Sequence, residues 1–159
     1  MVLRVCIVSF LLTAAAVAGP PVAPLPPAVS PLVAAAAIYP GAQCCEGMRD
    51  PYLVTMAQGY AEQMAHIGSQ SYRGRGHFGW TGRHAAILRV LGMDGDEITA
   101  ESWPWEGEAP MSQIARGMFD AWRQSSGHWR IASRPHRRFG DGLAKSRRGI
   151  WYACIIVAD

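Results

Sequence analysis

Residues 112–132, SQIARGMFDAWRQSSGHWRIA, carry the clearest structural pattern in this 159-residue chain. Apolar side chains recur there at helical spacing and predict an amphipathic helix with one apolar stripe, made of Ile114, Ala115, Met118, Phe119 and Trp122. Ser125, Ser126 and Gly127 interrupt the pattern, and Gly127 suits the left-handed position after a helix C-terminus. The stretch therefore predicts a packed helix that ends sharply, with His128 held just beyond it.

The first 49 residues predict an export signal followed by a linker. Arg4 precedes an apolar run at residues 5–17, and Ala16-Val17-Ala18 has the small-x-small pattern of a signal-peptidase site, so we expect residues 1–18 to be removed. The run is too short for a comfortable membrane span. Residues 19–49, rich in Pro and Ala, predict an extended linker without packed structure. The predicted location is outside the cell, in the periplasm or in the cell envelope.

Three cysteines remain after the predicted signal: Cys44, Cys45 and Cys154. Export would place them in an oxidising environment. Adjacent cysteines bridge each other only with strain, so a bridge from Cys44 or Cys45 to Cys154 is favoured. The alternative is that Cys154 is a small buried residue on a strand.

The charge of the chain argues against a nucleic-acid partner. The net charge is only +3. The basic runs at residues 134–138 and 145–148 lie in predicted loops, and no aromatic residues interleave them for base stacking.

Two more helices are predicted in residues 50–159, the proposed domain. Asp50 and Pro51 form a good helix opening, and that helix should end near Gly68. Residues 69–80 form a glycine-broken loop, and Thr81 can cap a further helix that Gly92 closes.

The strands complete an α/β pattern. Residues 97–103 alternate in strand fashion, and residues 139–144 and 150–157 predict a hairpin. The apolar run at residues 155–157 suits a central strand covered on both faces. Interleaved helices and strands predict a sheet covered by helices.

Spacing alone assigns no site. The sequence has no HExxH, CxxC pair, GxSxG or P-loop. The polar side chains that could carry chemistry are His66, His77, His84, His128, His136, Glu97 and Glu101.

A motif is more informative. The segment Trp122-Arg-Gln-Ser125-Ser-Gly127-His128 resembles the W-x-x-S-x-G-H signature of the CAP superfamily, the cysteine-rich secretory, antigen 5 and pathogenesis-related group that includes bacterial SCP-like domains. Weaker similarities extend over residues 50–157 and consist of AQGYAEQMA in the first helix, Glu97-Ile98-Thr99-Ala100, Gly140-Asp-Gly142 and Gly149-Ile-Trp151-Tyr152.

The resemblance implies a three-layer αβα sandwich. It also implies a cleft lined by two histidines and acidic residues, which binds zinc in some members. His128 matches the second cleft histidine and Glu97 the cleft glutamate. His77 is chosen as the first histidine over His84 and His66, because it precedes Arg83 as the family's histidine precedes an arginine.

The chain also departs from the family pattern. Trp129 replaces the usual Arg, Ile98 replaces the usual Asn, and Gln124 or Ser125 falls near the second glutamate. The expected ligand set is therefore His77, His128 and Glu97, and zinc is the expected metal. The alternative for Glu97 and His128 is a hydrogen-bonded pair that orders the cleft wall.

The resulting functional hypothesis is a secreted CAP-domain binding module. Its cleft would take a small ligand, a peptide or an envelope component, since no nucleophile with a nearby base is evident. The alternative is a zinc-dependent hydrolase in which His77 and His128 hold the metal and Glu97 acts as base. A purely structural envelope protein is a third reading.

Overall fold

The computed structural model describes residues 29–73, 75–104 and 109–159. Among these residues the chain forms five helices and six strands. In chain order they are α1 (Pro31–Ile38), β1 (Met48–Arg49), α2 (Pro51–Ile67), β2 (Ser71–Tyr72), β3 (Arg75–Gly76), α3 (Trp80–Leu91), β4 (Gly95–Glu101), α4 (Met111–Gln124), α5 (Ser126–Ala132), β5 (Arg138–Lys145) and β6 (Trp151–Ala158). The predicted α/β class is confirmed.

The main sheet has four strands in the order β1-β5-β6-β4. Strand β1 is parallel to β5, whereas β5 and β4 are both antiparallel to β6. The predicted hairpin is therefore present, and β6 is central as its apolar run indicated. Side chains of β6 alternate between two apolar clusters, with Ile155 in one and Ile156 in the other, so both faces of the sheet are covered.

The first cluster is built on α4. All five residues of the predicted stripe are buried: Ile114, Ala115, Met118, Phe119 and Trp122. Burying that stripe orients α4 on the sheet, and residues of α1 and α5 join the same cluster.

The predicted end of α4 is only partly right. The helix ends at Gln124, but Gly127 is not left-handed and lies inside α5. Ser125 is extended, with φ −106°, and is at once the C-cap of α4 and the N-cap of α5. Because its Oγ accepts the backbone N–H of His128, a new helix begins where the glycine suggested a loop.

The second cluster is built on α2. Asp50 caps this helix by accepting the N–H groups of Tyr52 and Leu53, and Gly68 closes it in the left-handed region, as predicted. The buried side of α2 consists of Leu53, Ala57, Tyr60, Ala61 and Met64. It packs closely over β5.

The linker prediction for residues 19–49 is wrong for residues 31–49. Residues 31–38 form α1, and Leu32 is fully buried. The segment is held by the Tyr39 hydroxyl, which donates to Asp120, and by the N–H groups of Gln43 and Cys44, which donate to the carbonyl of Ala132. Because most side chains of α1 are alanines, this helix can lie close to α4. Composition alone did not predict that contact. Residues 1–28, with the predicted signal peptide, lie outside the described residues.

The favoured disulfide prediction is also wrong. Cys44, Cys45 and Cys154 are free thiols, and Cys44 and Cys154 belong to the two clusters on opposite faces of the sheet. The sheet itself separates them. The alternative is confirmed, since Cys154 is a fully buried residue on β6.

Two predicted boundaries shift. Helix α3 begins at Trp80 after left-handed Gly79, so Thr81 is not its cap. Strand β4 ends at Glu101, which leaves Trp103 outside it and 86% exposed. The glycine-broken loop contains the ribbon of β2 and β3. In the part of the chain that the structure describes, no helix has both the length and the apolarity to cross a membrane.

Candidate functional site

Three predicted site residues from three separate elements meet in one contact chain. His77 lies in the loop before α3, Glu97 on β4, and His128 in the first turn of α5. His77 Nδ1 is 3.0 Å from Glu97 Oε1, and His77 Nε2 is 3.2 Å from His128 Nε2. His77 therefore connects the carboxylate on one side of its ring to the second imidazole on the other.

Glu97 is a buried carboxylate, with 1% of its side chain exposed. Its direction is set by β4, where it pairs with Ile156 of β6 and points to the α2 face of the sheet. Arg83 compensates its charge with a two-pronged contact, Nε to Oε2 at 2.7 Å and Nη2 to Oε1 at 2.8 Å. Burying a carboxylate without a partner would be costly, and Arg83 supplies that partner.

Arg83 is a further residue of the site, which the sequence analysis used only to choose His77 and gave no role. It also donates to the Phe78 carbonyl, and its guanidinium lies 3.5 Å from the centroid of the Tyr60 ring. Burial opposes its charge, but Glu97 holds the pKa of Arg83 above its usual value. The available signal was its position four residues before the buried Ile87, on the inner face of α3.

The hydrogen on Nδ1 of His77 follows from its partner. A carboxylate oxygen only accepts hydrogen bonds, so Nδ1 of His77 donates to Glu97. The backbone of His77 is left-handed, with φ 51°. Residues other than glycine adopt that region at a cost, and such strained positions cluster at functional sites.

His128 completes the pair. The Nε2 atoms of the two rings lie within hydrogen-bond distance, so one proton lies between the two nitrogens. Burial lowers the pKa of His128 below its ordinary value, and the nearby His77 lowers it further. The two imidazoles therefore share one hydrogen bond between their Nε2 atoms.

The distance between two of the three expected zinc ligands, His77 and His128, is compatible with binding of one ion. Nitrogens bound to one zinc at tetrahedral angles lie about 3.4 Å apart, close to the 3.2 Å observed here. Glu97 does not fit the same ion, because it contacts the opposite nitrogen of the His77 ring. Among the described residues, no group of three or more His, Cys, Asp or Glu side chains is arranged to hold a metal.

The other candidate residues lie elsewhere. His66 is exposed on α2, and His84 pairs with Asp94 at 2.6 Å on the surface. His136 is buried, between Asp159 and the carbonyl of Ile131. Glu101 accepts the backbone N–H of Gln70 at the end of β4.

A groove of about 510 Å³ lies between the end of β4 and α4. Glu101, on the same strand and face as Glu97, and Gln124, four residues before His128, both line it.

No protein-family model matches the chain, and a search of curated proteins finds no significant match.

Proposed function

We propose that this protein is an extracellular binding module of the CAP type, and that the His77–His128 pair is its ligand-binding centre. The observation that carries the proposal is the 3.2 Å approach of the two Nε2 atoms, supported by the buried Glu97–Arg83 pair. A pair of imidazoles that served only to fill space would need neither the left-handed His77 nor a buried charge pair behind it.

The fold is consistent with this proposal. The sheet has an apolar cluster on each face, one with α1, α4 and α5 and one with α2 and α3. That arrangement supports the three-layer αβα sandwich of the CAP superfamily. The W-x-x-S-x-G-H motif, here residues 122–128, ends on the histidine of the pair.

Zinc is the metal we propose for this centre. His77 and His128 would hold it through Nε2, and Glu97 would fix the His77 tautomer from behind. With only two protein ligands, the remaining positions would be open to an oxygen, nitrogen or sulfur atom of a bound ligand. Glu97 thus moves from the expected role of metal ligand to the role of positioning residue.

The hydrolase alternative has less support. It needs Glu97 to take a proton from the attacking water, yet both carboxylate oxygens accept hydrogen bonds from Arg83, and Oε1 also contacts His77. Both oxygens are thus engaged, and protonation of Glu97 would leave Arg83 buried beside a neutral group. Binding is therefore the function we favour.

Calorimetric titration with ZnCl₂ tests the proposal. We expect one site near pH 7.5, lost in His77→Asn and in His128→Asn but kept in His84→Asn, the matched surface control. Affinity should fall as the pH drops through about 6.5, because a protonated imidazole cannot bind metal. Binding that survives both site variants would refute the metal centre. Chelator-sensitive turnover of a peptide library would instead support the hydrolase.

A further inference from the structure

The groove between the end of β4 and α4 has the composition of a built binding site. Its volume, about 510 Å³, lies within the range of small-molecule sites, roughly 300–1,000 Å³. The polar groups that line it are two carboxylates, two primary amides and one hydroxyl, from Glu101, Asp120, Gln70, Gln124 and Ser102. The floor includes the small residues Gly117 and Ala121 of α4.

Trp103 forms one wall of the groove. The residue is 86% exposed, whereas the other tryptophans of the described residues are buried or half-buried. Within the described part of the chain it stacks on no other aromatic ring and on no cation. The following Pro104 restricts the backbone of Trp103, which lowers the entropy cost of holding the ring in place. An indole face is thus presented beside planar polar groups.

The two carboxylates are already oriented. The Gln70 backbone N–H donates to Glu101 Oε2 at 3.0 Å, and the Tyr39 hydroxyl donates to Asp120 Oδ1 at 2.7 Å. In each case the hydrogen bonds among the described residues engage one oxygen only, so the second oxygen can accept a donor from a ligand.

The combination of groups selects the ligand chemistry. The carboxylates need hydrogen-bond donors from a ligand, whereas the amide N–H groups of Gln70 and Gln124 need acceptors. A hydroxyl group on the ligand can serve as both. A cation would satisfy the carboxylates and the indole but would offer nothing to the amide donors. A neutral sugar supplies hydroxyls around its edge and an apolar C–H face for the ring of Trp103.

From these groups we propose that the groove binds a neutral saccharide, with Trp103 stacked on a sugar ring and Glu101, Asp120, Gln70 and Gln124 on its hydroxyls. The proposal rests on the binding-module function but not on metal binding. It gives the module a ligand class and does not require the His77–His128 pair to touch the ligand.

The test is titration of the full chain with three neutral trisaccharides. They are cellotriose, maltotriose and the trisaccharide of N-acetylglucosamine. The readouts are the indole N–H resonance of Trp103 and binding heat. We expect at least one trisaccharide to shift that resonance with a Kd of about 1 mM or lower, in the range typical of weak sites. Trp103→Ala should weaken binding by about tenfold or more.

Gly117→Leu supplies a second, independent variant. A Cβ added at Gly117 meets no atom within 4 Å, so a leucine there should fold normally and fill the groove. Gly59→Leu is the matched control, because Gly59 is also an exposed helical glycine with open space around it and lies on α2. We expect Gly117→Leu to abolish binding and Gly59→Leu to leave it unchanged.

Three results would overturn the proposal: no shift with any of the trisaccharides, equal binding by Gly117→Leu and Gly59→Leu, or binding of tri-lysine in their place, which would assign the groove to a cation. His128→Asn separates the two proposals. It should lose zinc and keep the saccharide, whereas Trp103→Ala should lose the saccharide and keep zinc.

Discussion

The Nε2 contact between His77 and His128 spans the edge of the main sheet. Glu97, which holds His77, lies on the face that α2 covers, and it belongs to β4, the last strand in the sheet order. His128 comes from α5, whose Ile131 and Ala132 belong to the cluster on the other face. The His77–His128 contact therefore forms only when both faces of the sheet are packed, and the geometry of the site depends on the whole fold.

The first prediction concerns pH. The lowered pKa of His128 means that the unfolded chain binds its proton at a higher pH than the folded protein does. The free energy of unfolding should then fall as the pH drops below about 6.5, and it should level off below the folded-state pKa. Urea denaturation at pH 7.5, 6.5 and 5.5 measures this dependence.

His128→Gln should flatten that pH profile. His84→Gln should leave the contribution of His128 to the profile unchanged. The lowered pKa values of Asp50, Asp94 and Asp159 affect stability only below about pH 4, so they do not overlap this window. An unchanged slope in His128→Gln would mean that His128 titrates equally in both states.

The second prediction is that Glu97→Gln destabilises the protein by about 3–5 kcal/mol, the usual cost of leaving one partner of a buried ion pair without the other. Arg83 is the charge left behind, and only 14% of its side chain is exposed. Glu101→Gln, an exposed glutamate on the same strand and face, should change stability by less than about 0.5 kcal/mol. Similar midpoints for the two variants in urea would contradict the charge argument.

Local patterns account for the parts of the fold that the sequence predicted. The stripe of α4, the Asp50 cap and the β5–β6 hairpin each depend on residues close in the chain, and all three are present. The segment at Ser125 was locally ambiguous, because Ser-Ser-Gly can end one helix or start another. The contact of the Ser125 hydroxyl with His128 decides for the second.

Long-range contacts account for what was missed. Leu32 is buried because α1 lies against α4, and no periodicity in an alanine-rich segment predicts that partner. His77 and His128 are 51 residues apart, and only the family resemblance suggested that they meet. The role of Arg83 depends on Glu97, 14 residues later on another element, so it became evident only from the fold.

A third prediction compares two tryptophans. Trp122 is fully buried in the α4 stripe, so Trp122→Ala should cost about 3–5 kcal/mol. Trp103→Ala removes the same side chain from an 86% exposed position and should change stability by less than about 0.5 kcal/mol. Thermal unfolding of the two variants measures the contrast. Comparable losses of stability would show that Trp103 is packed in solution.

The two glycines of the Gly140-Asp-Gly142 segment set how closely α2 approaches β5. A Cβ added at Gly140 would lie 2.1 Å from the carbonyl carbon of Leu53, and one at Gly142 would lie 2.4 Å from that of Ala57. Both obstacles are backbone atoms of α2, so no side-chain rotation can relieve the clash. Either substitution must push the helix away from the strand.

The last prediction is therefore that Gly140→Ala destabilises the protein by about 1–3 kcal/mol or more, the usual cost of overpacking a tight interface. Gly127→Ala is the matched control, because a Cβ there meets no atom within 4 Å and the residue lies inside α5. Removing a helical glycine at an open position should stabilise by up to about 1 kcal/mol. Urea unfolding of the two variants should thus give shifts of opposite sign. If Gly140→Ala unfolded like the parent protein, α2 and β5 could not be in the close contact described here.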